Sequence, residues 1–372
     1  MTVVRWVGFT VGLVVIGVTL ADVFRSLVLP RAPGRGRSAR TIRLTWRAFV
    51  AASRWSSSFE GKDRLLSGAA PLALLVLLAS WLVRAIVGYA LVLWPFTSSF
   101  GEALREGGSS VFTLGFAGGH GGLSVVDYLA AGTGLGVVAL QIGYLPTLYG
   151  AFNRREALVT MMESRAGVPA WGPEILVRHQ LVGIVDKLPA FYADWERWAA
   201  EVSESHTTYP VLLYFRSPKA YYSWVVSLLA VLDSAAIYLA VSPQAAPSDA
   251  RLCLRMGFSC LRSISAALDL DPDPDPDPDQ PIRLSYEEFV EALDRLGASG
   301  FAMERGPEEA WPHFRGWRVN YEAIAYHLAD RVMATPAPWS GPRSHLDGVA
   351  IPPRRPVNRQ PGGLNPDRPG MR

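Results

Sequence analysis

The chain has 372 residues, 49% hydrophobic and 19% charged, with a formal net charge of +3. Its mean hydropathy of +0.16 lies between that of a soluble globule and that of a bundle of spans, which fits a membrane part joined to a soluble part. So small a charge points to no particular partner and gives no ground for nucleic acid, and the two cysteines, Cys253 and Cys260, read as small buried thiols in a reducing compartment without metal-ligand spacing.

Val3 to Leu29 is apolar for too long to be a typical signal peptide, and no small-residue cleavage site follows it. Residues 1–30 are therefore expected to be a retained transmembrane helix. Asp22 and Arg25 sit three apart near its inner end, which a helix makes neighbours; the plain reading is an interfacial ion pair, the other a gating role. Residues 31–67 then form a basic loop, with Arg31, Arg35, Arg37, Arg40, Arg43, Arg47, Arg54, Lys62 and Arg64 against only Glu60 and Asp63. By the positive-inside rule that loop is cytoplasmic and the N-terminus outside. Within it Ile42, Trp46, Phe49 and Val50 share one helical face, as in an interfacial amphipathic helix on an anionic leaflet or one packed on a soluble domain.

A second span from about Gly68 to Trp94 carries one charge, Arg84, near its middle. An arginine there needs a carboxylate, water or a backbone carbonyl, and Asp22 is the nearest acidic candidate. Trp6, Trp81 and Trp94 suit interfacial belts. Beyond the span, Glu102, Arg105 and Glu106 give a weakly charged outer mouth that draws cations by its field, and His120 can titrate near neutral pH.

The stretch from Gly101 to Arg155 organises the rest. A short amphipathic segment leads into Thr113-Leu114-Gly115-Phe116-Ala117, then a glycine-rich turn, then a long apolar helix. These residues offer little to catalysis, but their backbone carbonyls can replace a cation's water shell when repeated around an axis. The third span, Leu129 to Phe152, is rich in glycine, with Gly132, Gly134, Gly136 and Gly143. Close helix approach explains this better than a nucleotide loop, since no strand precedes it and no acidic partner follows. Pro146 removes an intrahelical hydrogen bond and Gly143 loosens the helix nearby, so these two are hinge candidates. Gln141 is the span's one amide; it faces a water-filled cavity or makes an interhelical hydrogen bond.

Ser110-Val111-Phe112-Thr113-Leu114-Gly115-Phe116-Ala117-Gly118 resembles the pore signature of the potassium channel superfamily, a Thr-Val-Gly-Tyr-Gly filter after a pore helix. The region from Pro71 to Arg155 is similar to that superfamily's two-transmembrane pore module. Thr113 matches the threonine, Leu114 the valine, Gly115 the first glycine and Phe116 the tyrosine, while Ala117 stands where the second glycine would be. The resemblance implies a pore module over 68–155, with Thr113, Leu114, Gly115, Phe116 and Ala117 as the ion-binding filter and a gate at Gly143 and Pro146. It implies a homotetramer in a lipid membrane passing a monovalent cation, potassium, with no resident cofactor or metal. A non-selective cation channel, or a non-conducting membrane sensor or scaffold with a degenerate filter, is the alternative.

Residues 156–334 read as a helical cytoplasmic domain. Tyr221 to Val241 is apolar enough for a fourth span, but Asp233 in its middle and the serines along it make it the buried central helix of that domain. Two proline-terminated loops bring His206 and Arg216 into the same region. With Asp233 these form either a regulatory pocket, with Arg216 as anion donor, or a satisfied core network. The alternating Asp and Pro of 269–280 is an acidic linker, expected to be extended. Tyr286 to Leu296 and Asn320 to Met333 read as closing helices, and residues 335–372 as a disordered basic tail. The expected fold is thus an all-α membrane protein in the plasma membrane, with three transmembrane helices, a re-entrant pore helix and filter, and a helical cytoplasmic domain. No paired carboxylates, zinc spacing or nucleophile elbow indicates an enzyme.

Overall fold

The computed structural model describes residues 2–29, 36–117, 124–268, 270, 273–343 and 351–354. Among them every regular element is helical, and four helices are long and apolar enough to cross a membrane. The chain divides into two units, one of 1–55 and 65–150, the other of 56–64 and 151–372.

The first unit contains α1 (Thr2–Leu27), α2 (Arg37–Ser53), α4 (Ala69–Leu93), α5 (Phe100–Val111) and the N-terminal part of α6 (Ser124–Arg165); α3 (Phe59–Ser67) lies across the division. Long apolar runs make α1 and α4, which pack along each other, and α2 and α5 also lie on α4. Val23, Leu77, Trp81 and Val137 make one buried cluster, and Ala85, Tyr89, Val111 and Ala130 the next. These clusters join α1, α4, α5 and α6. The outward faces stay apolar, as at Val14, Leu75 and Leu135, each at least 60% exposed. Such a surface suits hydrocarbon better than water.

Arg84 finds its partner within this unit. Its Nη2 donates to Asp22 at 2.8 Å, Trp81 Nε1 donates to the same carboxylate at 3.0 Å, and Arg84 Nε donates to the Ser80 carbonyl at 3.1 Å. A charge in an apolar layer is tolerable when paired and hydrogen-bonded in this way. Asp22 therefore reaches across to α4, and no ion pair joins it to Arg25 among the described residues.

The second unit holds α7 (Gly172–Val182), α8 (Leu188–Thr208), α9 (Trp224–Val241), α10 (Ser248–Ala267), α11 (Tyr286–Ala298), α12 (Pro307–Arg318) and α13 (Glu322–Arg331). α9 is its centre, with α7, α8, α10, α12 and α13 against it, and 94% of its apolar window is buried by the chain's own helices. Its lateral surface is thus occupied by protein, and its mean hydropathy reflects a core. Ser223 opens it by accepting from the Val226 N–H, and Ser285 with Glu288 forms a full capping box at α11. Cys253 and Cys260 are buried free thiols on α10, held far above the ordinary thiol value by burial.

Two expectations need correction. The third span does not give way near Phe152, because no breaker stands between Asn153 and Arg165 and α6 runs on for 42 residues. Nor does disorder begin at Thr335. Thr335 and Trp339 are buried, Trp339 meets Trp171 and Phe314 edge to face or tilted, and Arg343 folds back onto the carbonyls of Ala334 and Ser340. Residues 344–350 and 355–372 lie outside the described residues, as do Gly118 and His120.

Candidate functional site: the segment from Phe100 to Ala117

α5 begins where Ser99 Oγ accepts from the Glu102 N–H at 3.2 Å while the Glu102 carboxylate accepts from the Ser98 N–H at 2.9 Å. Its buried positions, Ala103, Glu106, Gly107 and Val111, recur at helical spacing and face α4 and α6. Two glycines permit the fit. A Cβ at Gly107 would stand 3.2 Å from the Ala90 nitrogen of α4, and one at Gly134 would stand 1.9 Å from the Val111 carbonyl oxygen. The C-terminal end of α5 is thus lodged against α6. Ser110 Oγ donates to Asp127 at 2.6 Å, fastening it to the first turn of α6, and Tyr89 bonds Thr133 at 2.8 Å, fastening α4 to α6.

Thr113 to Ala117 follow directly. The Thr113 N–H donates to the Ser110 carbonyl at 2.9 Å, the Leu114 N–H to the Ser109 carbonyl at 2.8 Å, and the Ala117 N–H to Ser109 Oγ at 3.3 Å. These donors are turned back onto α5. Among the described residues no donor bonds the carbonyl oxygens of Thr113, Leu114, Gly115, Phe116 or Ala117. The chain takes left-handed φ at Thr113 (55°) and Gly115 (71°), but not at Ala117. Gly115 accepts this freely, whereas a β-branched threonine there is an outlier that costs on the order of 1–3 kcal/mol and marks a site held by its surroundings. Leu114 and Phe116 are 61% and 62% exposed, so neither ring nor isobutyl group is anchored in its own chain.

The remaining candidates are dispersed. Gly143 and Pro146 are exposed on α6, and Pro146 leaves the Ile142 carbonyl without its intrahelical donor although the helix continues. Gln141 is buried, and its Oε1 has no hydrogen-bond partner among the described residues. Gly132, Gly136 and Gly143 share one face of α6 on which an added Cβ would meet nothing.

His206, Arg216 and Asp233 do not share a cavity; each belongs to its own network. Arg155, itself buried, donates to His206 Nε2 at 3.0 Å and to the carbonyls of Leu212 and Phe215. Arg216 pairs with Asp63 and donates to the carbonyls of Val332 and Met333. Asp233 accepts from Arg318 and from Tyr321 Oη. Sequence reading passed over Arg155 and Arg318, whose side chains are fully buried. Among the described residues no group of three or more His, Cys, Asp or Glu could hold a metal ion.

His206 has a counterpart in His179. In each, Nδ1–H donates to the carbonyl four residues earlier (Val202 at 3.0 Å, Ile175 at 2.7 Å) and Nε2 accepts from an arginine (Arg155 at 3.0 Å, Arg165 at 2.9 Å). Burial first, and the neighbouring guanidinium with it, holds both imidazoles below the usual value, His206 by far the more. Since the folded pKa is depressed, the unfolded chain binds protons that the folded one refuses. Stability is then full above the unfolded value and falls as pH drops from about 6.5, by up to about 1.4 kcal/mol per pH unit for each histidine. Thermal melts between neutral and mildly acid pH should show this loss, and His206→Gln should flatten it. Equal slopes for parent and variant would contradict the assignment.

No family model, no curated protein and no solved structure matches the chain. What stands is a chain whose described regular elements are all helical, with helices long and apolar enough to cross a membrane.

Proposed function

We propose that the chain is one subunit of a homotetrameric cation channel that conducts potassium. The observation that carries this reading is the row of carbonyl oxygens from Thr113 to Ala117, without a donor among the described residues, while the N–H groups of Thr113, Leu114 and Ala117 are turned back onto α5. Free carbonyls in an apolar setting are costly unless a cation or water engages them. The C-terminal end of α5 adds the negative end of its macrodipole beside the same oxygens. In this reading Asp127 and Ser110 hold the loop against α6, while Leu114 and Phe116 pack against neighbouring subunits. The open glycine face of α6, Gly132, Gly136 and Gly143, lines the pathway or the contact between copies, and Pro146 supplies the bend at which it closes. Gln141 reaches water in the cavity only if α6 shifts, because it is buried against its own chain.

One loop per chain encircles nothing, so the reading stands or falls with assembly. Cross-linking the full chain in its membrane should give a ladder ending at four subunits. A ceiling at two would contradict a closed fourfold pore.

A further inference from the structure

Within the second unit, the end of α9, the start of α10 and the outer side of α12 enclose a cleft of about 730 Å³, inside the range typical of small-molecule sites. Its lining includes none of the candidate site residues discussed above. Leu239 and four prolines give it apolar walls, and none of its lining side chains is a carboxylate. Its polar lining is made by Arg251 and Arg305 with His313, Ser248 and Asn320. Arg251 lies over the Trp317 ring at 5.6 Å and has no hydrogen-bonding or ionic partner among the described residues, and His313 is exposed and equally unengaged among them. Of the carboxylates near the lining in the sequence, Asp249 in the first turn of α10 and Asp277 lie outside it, and three others are engaged elsewhere. Glu304 accepts from the Gln244 and Ala245 N–H groups, Glu309 pairs with Arg305, and Asp279 pairs with Arg315. α10 opens into the same cleft at Pro247 and Ser248 with no side chain capping it, so its first N–H groups are open to an acceptor there, while Asp249 in the same turn offsets part of its dipole.

We infer that this cleft binds a small phosphate ester with a planar ring, a nucleoside phosphate being the fitting chemical type. The phosphate would meet Arg251, His313 and the N-terminus of α10, where charge-assisted and backbone donors converge. The ring would lie against Trp317 and the proline walls, a surface suited to a flat, weakly polar body. The inference does not depend on the channel reading, since the second unit carries the whole cleft.

The test is titration of the purified full chain with adenosine monophosphate, adenosine triphosphate, adenosine and inorganic phosphate, read by calorimetry and thermal shift. The expected result is saturable binding of at least one nucleotide, with adenosine and inorganic phosphate each weaker by about tenfold or more, the scale of one lost charge-assisted interaction. Arg251→Glu and His313→Asp, both at exposed positions, should each reduce nucleotide affinity by about that factor or more while leaving the ligand-free melt unchanged. Trp317→Leu should weaken the nucleotide and leave phosphate unaffected. Absence of nucleotide binding would overturn the proposal. So would equal binding of adenosine, which would remove the phosphate's role, or equal binding of inorganic phosphate, which would remove the ring's. Nucleotide binding that survives both Arg251→Glu and His313→Asp would place the ligand elsewhere and overturn it too.

Discussion

Arg318→Met should destabilise the second unit by about 3–5 kcal/mol, the usual cost of stripping one partner from a buried ion pair. Arg318 is fully buried and makes every one of its bonds inside the core. Nη1 donates to Asp233 on α9, Nε donates to Glu322 at 2.9 Å, and Nη2 donates to Tyr326 Oη at 2.9 Å and to the Trp339 carbonyl at 2.7 Å. Methionine fills much of the volume but leaves Asp233 with Tyr321 alone. Glu322 keeps only the Arg283 and Leu284 N–H groups. Thermal unfolding followed by tryptophan fluorescence should show the loss. Adding Asp233→Asn should return part of it, since one uncompensated charge is then removed, and the two changes should be strongly non-additive. A melt of Arg318→Met matching the parent would mean that this network does not hold the core.

Gly134→Ala should abolish conduction while leaving the melt of the second unit intact. The added Cβ would stand 1.9 Å from the Val111 carbonyl oxygen and 2.9 Å from its carbon, both backbone atoms that cannot turn aside. Overfilling a close contact costs about 1–3 kcal/mol, and here the relief is a shift of the end of α5. Thr113 follows two residues later, so the carbonyl row moves with it. Gly17→Ala is the control, because an added Cβ at Gly17 meets nothing and flux should persist. Undiminished flux in Gly134→Ala would separate the loop's position from its activity.

Much of the fold was legible because apolar runs are long and their stops are plain. The span expected from Gly68 to Trp94 is α4, Ala69–Leu93, and the one expected from Val3 is α1, Thr2–Leu27. Tyr221 to Val241 was separable from a lipid-facing span by Asp233, and α9 is indeed enclosed by its neighbours. What the sequence hid were partners distant along the chain. Asp233 meets Arg318 across 85 residues and Arg216 meets Asp63 across 153, so the separate networks that His206, Arg216 and Asp233 enter could not be read from their neighbourhood in the sequence. α12 went unread between the two expected closing helices, although Pro307 sits where a helix begins and needs no donor. At the tail, proline and arginine content masked Trp339, the residue that seats Thr335–Arg343 in the core. Between Phe100 and Ala117 the order of short helix and turn was readable. The inward turn of the N–H groups was not, because it depends on Ser109 and on φ at Thr113.

The direct test of the central claim is cation flux through liposomes containing the purified chain, with potassium and sodium compared across pH and voltage. The account predicts potassium flux that exceeds sodium flux and is lost in Gly115→Val, where a β-branched residue at φ +71° would add strain on the order of 1–3 kcal/mol to that already held at Thr113. No flux of either cation under any of those conditions would contradict it.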